Sequence, residues 1–340
     1  MQGCFLTQKE VTEATPAAAV QADVAVEAQG EKFEVKVIPN IGNAAEAYFS
    51  PDGKSLIGNA KNEGDTWHMV YTINVDGTNR KRINDKGMDA CSFYHPDGKS
   101  LIWTSTRDNL DMPLGDYSKP DNYPQGAELY TSDLDGNNVK RLTNNEYYDA
   151  EVAYSPDASL ILFGRQIDGK MDLWIMNGDG TDEHQITFTD EWQEGGSFIM
   201  PDNKTIIGRC WKRENQGKRG LPMVLYTMDL DGKNRKWLTP DDGKTTNWAP
   251  YPAPDGIHYV YVKVVAPHNY EVFLGNLETD VHTRLTYNDA FDGFPTISPD
   301  GNWLVFSSSR GAAPTTKKGH GSKALTWYTM DLSSFGIGAK

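Results

Sequence analysis

From about residue 44 onward the chain is built of short β-rich runs broken at near-regular intervals by Pro-Asp. The stretch Phe291 to Arg310 shows the unit. Phe294, Thr296 and Ser298 alternate with Pro295 and Ile297, Pro299-Asp300-Gly301 interrupts the run, and Trp303 to Ser308 follows as a second run of aromatic and branched residues. Pro presets the first position of a tight turn and Gly accepts positive φ, so the stretch predicts strand, turn, strand. Pro-Asp recurs at Pro51, Pro96, Pro156, Pro201, Pro254 and Pro299, at separations of 45, 60, 45, 53 and 45 residues. A second signal follows each anchor: Tyr71 to Gly77, Tyr130 to Gly136, Trp174 to Gly180 and Tyr226 to Gly232 each run from an aromatic residue to Asp-Gly. Phe273 to Asp280 is a looser fifth copy, and the sixth stops at Tyr328 to Leu332. A third signal closes five units at Arg82-Ile83, Arg141-Leu-Thr143, Gln185-Ile-Thr187, Lys236-Trp-Leu-Thr239 and Arg284-Leu-Thr286.

Each unit therefore predicts four short antiparallel strands, A to D. A precedes Pro-Asp, B follows it, C ends at Asp-Gly and D ends at Leu-Thr. Four strands per repeat of this length is the signature of a propeller blade, which cannot bury both faces alone but can in a ring. The expected fold is an all-β, six-bladed propeller over residues 32–334, with a leader and tether over 1–31 and a tail over 335–340. The blades lie at about 44–84, 88–143, 149–187, 192–239, 246–286 and 291–334. The sixth unit has almost no chain left for strand D. Phe33 to Ile38 alternates like a strand and is expected to supply it, closing the ring; the alternative is an open last blade.

The Ser-Pro-Asp-Gly anchor, with Asp-Leu-Asp-Gly and Arg-Leu-Thr in phase, resembles the WD40-like repeats of TolB-type β-propellers over about residues 44–332. Blade four departs from the pattern at Met200-Pro-Asp-Asn203, and blade five at its C–D turn. The resemblance implies binding of envelope partners through the mouth of the propeller channel. The separate α/β domain of TolB has no counterpart in this sequence, which leaves a Tol-system role open.

Composition narrows the function classes. A formal net charge of −14 argues against nucleic-acid binding through a general basic surface. No apolar run is long enough for a transmembrane helix. Nine Trp are expected mainly between blades. Met1-Gln-Gly-Cys4 resembles the end of a bacterial lipoprotein signal whose apolar part is absent. Residues 8–31 then read as a flexible spacer. Cys4 is thus the candidate lipidation site and the expected location is periplasmic or outer-membrane-anchored; the other reading is an ordinary leader with a chance Cys. Cys91 and Cys210 fall two blades apart and read as buried thiols rather than a disulfide.

Strand alternation puts the A–B and C–D turns on one face and the B–C and D–A loops on the other. The first set is short. The second set, the crown, carries the long B–C insertions: Asp108 to Gly126 in blade two, Lys212 to Pro222 in blade four and Arg310 to Ser322 in blade six. Long loops on a rigid scaffold are where function concentrates. Tyr117, Tyr123, Arg213, Arg219, Lys317 and His320 are the partner-contact candidates. Strand B ends repeatedly in a base (Lys61, Arg107, Arg165, Arg213, Lys263, Arg310), and the D–A loops carry acids at Asp89, Asp149, Glu194 and Asp292, with Asn247 in blade five and Glu46 in blade one, so that both sets fall on the crown face. Two readings stand: a ring of Arg–carboxylate pairs that ties loops to strands, or a polar channel mouth that binds a carboxylate, a sugar acid or a cation.

The seven His do not fall at metal-ligand spacings, and no metal or cofactor is expected. There is no Gly-x-Ser-x-Gly elbow, and the length leaves no room for an added hydrolase domain. The sequence therefore favours a non-catalytic, monomeric protein-binding module of the bacterial envelope that touches membrane only through a lipid anchor. An enzyme or enzyme subunit with a small ligand or metal in the channel is the competing reading.

Overall fold

The computed structural model describes residues 32–117, 119–218, 220–311 and 324–339. Six sheets of four antiparallel strands follow one another around an axis, each strand pairing with the next in sequence. Blade one is Asn43–Phe49, Ser55–Lys61, Met69–Asn74 and Lys81–Arg82. Strand D is only two or three residues long in every blade that makes its own. The sixth blade, Asp292–Ile297, Trp303–Ser308 and Thr326–Asp331, takes its outer strand from Val35–Val37, which pairs antiparallel with Thr326–Asp331. The ring closes with the start of the propeller, as the alternation of Phe33 to Ile38 predicts.

The repeated motifs each make a specific bond. In the turns that begin Ser-Pro-Asp the Ser hydroxyl donates to the Asp carboxylate, at 2.7 Å in Ser50–Asp52 and Ser155–Asp157, the second turn having Ala158 in place of Gly. The residue after Asp is left-handed in all six turns, with φ from 54° at Asn203 to 74° at Gly301. Gly tolerates that conformation and Asn is the next best choice, so blade four's departure to Asn203 changes the residue without changing the turn. The Thr of Leu-Thr is buried, and its hydroxyl accepts the N–H of the neighbouring strand C: Thr143 from Leu129, Thr187 from Leu173, Thr239 from Leu225 and Thr286 from Val272.

The cores lie between blades. Leu56, Tyr71, Val305 and Trp327 join blade six to blade one, and Ile57, Val70, Leu101 and Trp103 join one to two. Leu162, Ile175, Ile206 and Tyr226 join three to four, while Val260, Leu274, Leu304 and Phe306 join five to six. Contact at the closing interface is close: a Cβ on Gly58 would lie 1.9 Å from the Glu46 carbonyl oxygen and 2.6 Å from the Trp327 ring. No other residue fits there. Cys91 and Cys210 are buried free thiols.

Candidate functional site

All six A strands carry a register shift at the same place, between Ala44 and Ala47, Ala90 and Ser92, Ala150 and Ala153, Gly195 and Phe198, Trp248 and Tyr251, and Gly293 and Thr296. The residue five positions before each Pro-Asp sits in this bulge: Glu46, Cys91, Glu151, Gly196, Ala249 and Phe294. In blades two to six it has positive φ, from 32° at Cys91 to 55° at Glu151. Four of those five are not glycine, so the strain is held by the surrounding ring, and such strain collects at functional sites. All six of these residues line one cavity of about 40 Å³.

Two residues further along the strand, four of the six blades carry a ring, and these rings close the channel, with Ala153 and Thr296 at the other two positions. Tyr48 and Phe93 have centroids 3.9 Å apart, Tyr48 and Phe198 6.1 Å, Phe198 and Tyr251 5.0 Å, and Tyr48 and Tyr251 6.1 Å. Tyr48 and Phe198 belong to opposite blades, so their contact plugs the channel. Above the plug, Arg209 donates to Glu151 at 2.7 Å, and the Gly196 N–H donates to the other Glu151 oxygen. A Cβ at Gly196 would meet Arg209 Nη1 at 2.3 Å. Glu46 lies on the same wall, and burial lifts its carboxyl from 4.5 to about 7, with the Cys91 thiol, Glu151, Arg209 and the Tyr48 hydroxyl as its polar neighbours. Burial also pushes the Cys91 thiol well up, so Cys91 is not poised as a nucleophile. Among the described residues no three of His, Cys, Asp and Glu come together as a metal-binding group.

The acids assigned to the channel mouth lie elsewhere. Asp89, Asp149, Glu194, Asn247 and Asp292 are buried, at most 2% exposed. They sit two residues before the bulge, where side chains serve the blade and not the axis. Asp149 takes a bidentate bond from Arg165, at 2.6 and 2.8 Å, and Asp292 takes a single bond on one oxygen from Arg310, whose Nε turns to Ser308. This is the reading in which Arg–carboxylate pairs tie loops to strands. Asp89 instead accepts from the Val70 N–H at 2.9 Å and from Asn84 at 2.6 Å, and Arg107 reaches Asn84 at 2.8 Å. Burial raises the Asp89 carboxyl to about 7 despite those donors. Glu194 pairs with Arg235 at 2.6 Å and not with Arg213, which stays exposed at the start of a short 3-10 turn. Asn247 faces Lys263 across the sheet. Glu46 does not belong with this set, because it lies in the bulge and faces the axis.

Tyr117 and Tyr123 are also corrected. Neither is an exposed anchor. Tyr123 is 5% exposed and stacks on Tyr148, with centroids 4.2 Å apart and planes at 13°. The half-buried Tyr117 donates to the Met88 carbonyl at 3.1 Å. The blade-two loop folds down over blade three and reaches blade four, because Gln166 and Gln216 both donate to the Pro120 carbonyl at 2.9 Å. Its aromatic residues fasten the loop, with Trp211 and Ala150 beneath them. Tyr123→Ala is expected to lower stability by about 3 kcal/mol, the scale for truncating a buried aromatic; calorimetric melting checks it, and an unchanged melting temperature contradicts the placement. Arg219, Lys317, His320 and Cys4 lie outside the described residues.

A closed ring of six four-stranded blades with short turns on one face and long loops on the other defines the class: the chain has the fold of a TolB-like β-propeller. Comparison with known proteins agrees. The chain is similar to a putative TolB from Agrobacterium tumefaciens (TM-score 0.57, 19% identity, 88% of this chain and 96% of that one). It is also similar to TolB from Acinetobacter baumannii (TM-score 0.55, 16% identity, 87% of this chain and 65% of that one). An oligogalacturonate lyase from Vibrio parahaemolyticus matches as well (TM-score 0.54, 13% identity, 90% and 96%). At such identities the likeness is one of fold alone. Among curated sequences, an uncharacterized protein of Agrobacterium fabrum is 29% identical over 143 residues, 41% of this chain and 48% of that protein, so the match spans about half of the relative's length. No protein-family model matches the chain.

Proposed function

We propose that the protein is an extracytoplasmic protein-binding module that docks a partner on its crown face, on the side of blades two to four. The observation that carries this reading is a group of exposed large apolar side chains on this face beside an open crevice. Leu110 (54% exposed) and Leu114 (40%) stand on the blade-two loop, with Tyr147 (39%) and Phe188 (69%) on the D–A loops beside it. Beside Leu110 an open crevice of about 460 Å³ runs between the blade-two loop and the loop before blade three, with Asp108, Asp111 and Glu146 among its lining. Apolar anchors within an acidic rim suit a partner segment with apolar residues flanked by basic ones. The exposed Arg213 lies on the same face. The Gln-Gly-Cys4 signature and the TolB neighbours support a location outside the cytoplasm, and Cys4 is the position where a lipid would be attached.

The lyase-like reading has less support. A cavity of about 40 Å³ has room for roughly three waters, far less than an oligosaccharide needs. Introducing charge at the exposed apolar positions of the crown tests the docking reading. Leu110→Asp with Phe188→Asp is expected to reduce partner recovery from envelope extract at least tenfold, while the melting temperature stays within about a degree, since both side chains face water. Undiminished recovery would move the interface off this face.

A further inference from the structure

The axial cavity holds chemistry that protein docking does not use. Two polar atoms of its walls have no protein partner, Glu46 Oε2 and Arg209 Nε, although both are buried. Each is costly to leave unsatisfied. The other half of the wall is apolar and aromatic, with Tyr48, Phe198, Tyr251 and Phe294. The rings of the plug close the channel on the Pro-Asp side, so entry is from the crown.

These features select a ligand class. Arg209 is a permanent donor, because a guanidinium does not give up its proton. Its Nε–H needs an acceptor. Glu151 is already engaged by Arg209 and by the Gly196 N–H, which leaves Glu46 as the adjustable group. A neutral Glu46 is itself a donor. We propose that the cavity is a binding site for a short monocarboxylate of two or three carbons, whose carboxylate lies between the Arg209 Nε–H and the protonated Glu46 carboxyl, with its alkyl end against the aromatic wall. A cation is disfavoured by Arg209, and an acid with a longer chain exceeds a space of about three waters.

Protonation then controls affinity. The groups facing Glu46 are Tyr48 on its own strand, Cys91 on the next blade, Glu151 on blade three and Arg209 on blade four. The phenol and thiol stay neutral through this range because burial raises both well above their ordinary values. Glu46, lifted to about 7, changes charge near neutrality. Its ionisation places a second negative charge against the ligand.

The test is calorimetric titration of the full chain with sodium acetate, sodium propionate, sodium hexanoate and methylammonium chloride at pH 6 and pH 8. Acetate and propionate are expected to bind at pH 6 and to bind about tenfold more weakly at pH 8, the change in the protonated fraction of a group titrating near 7. E46Q, which keeps a donor and loses the titration, is expected to bind equally at both. Absence of binding at pH 6, preference for hexanoate or methylammonium, or an E46Q profile that still falls with pH would each overturn the proposal. Should E46Q fail to fold, the wild-type profile decides: equal affinity at pH 6 and pH 8 overturns it. The site is independent of crown docking, so L110D/F188D is expected to leave acetate binding unchanged.

Discussion

Replacing Asp149 with Ala is expected to destabilise the propeller by about 3–5 kcal/mol, the scale for leaving one partner of a buried ion pair uncompensated. Asp149 is fully buried and Arg165 is 5% exposed, so the guanidinium keeps little solvent once its bidentate partner is gone. Its remaining acid, Glu183 at 3.1 Å, is 42% exposed and contributes far less. Replacing both members, Asp149→Leu with Arg165→Met, is expected to cost less than the single change, because no buried charge remains. Denaturant unfolding of the single and double variants checks this. A single variant no worse than the double would mean that the pair is not a staple of the blade.

The second large effect is a dependence of stability on pH, centred on Glu46. Its folded value of about 7 lies above its ordinary 4.5, so the folded state holds a proton that the unfolded state has released. The stabilisation tied to that proton is fully present below about pH 4.5 and is lost as pH rises through 7. For Glu46 the loss amounts to about 3 kcal/mol at 1.36 kcal/mol per pKa unit. Asp89, raised to about 7, and Asp172, raised to about 6, act in the same direction. The turn carboxylates Asp52, Asp202 and Asp300 are shifted down, with donors from their own turns as the favourable cause. Their stabilisation is lost only as pH falls below the usual carboxylate range, so the two sets act in separate windows. E46Q should therefore flatten the decline between pH 5 and 8, as read by denaturant midpoints, and leave the acid limb unchanged. A wild-type protein whose stability rises over that interval would contradict the placement of Glu46.

Much of the architecture was legible because each motif has one local job. Pro-Asp-Gly sets the turn, Leu-Thr supplies a hydroxyl to strand C, and the alternation of Phe33 to Ile38 marks the closing strand. The pairings Asp149–Arg165 and Asp292–Arg310 follow from the recurrence of an acid in strand A and a base at the end of strand B. Blade four breaks the rule for a visible reason. Opposite Tyr226 it carries Trp237, where blades one, two and five carry Arg82, Arg141 and Arg284 opposite Tyr71, Tyr130 and Phe273. The guanidinium moves to Arg235, which lies over the Tyr226 ring and takes Glu194.

The axis was the part missed, although the signal was present. Counting five residues back from each Pro gives Glu46, Cys91, Glu151, Gly196, Ala249 and Phe294 in one ring. Grouping residues by charge instead of by that register set Glu46 among the inter-blade acids. A bulge flips which side chains face the axis, and nothing in the local composition of strand A announces it. Tyr117 and Tyr123 illustrate the other difficulty. Two Tyr in a proline-rich loop fit an exposed contact surface and a fastened loop equally well, and the choice depends on Tyr148, Gln166 and Gln216 from other blades.

The central claim is that the crown at blades two to four meets a protein partner. Site-specific photo-crosslinking in cells tests it most directly, with the probe placed at Leu110 or Phe188 and, as controls on the opposite face, at Val281 or Trp303. Crosslinks to one protein from Leu110 and Phe188, with none from the control positions, are the predicted result. No adduct from the crown positions, or the same adducts from both faces, would contradict it.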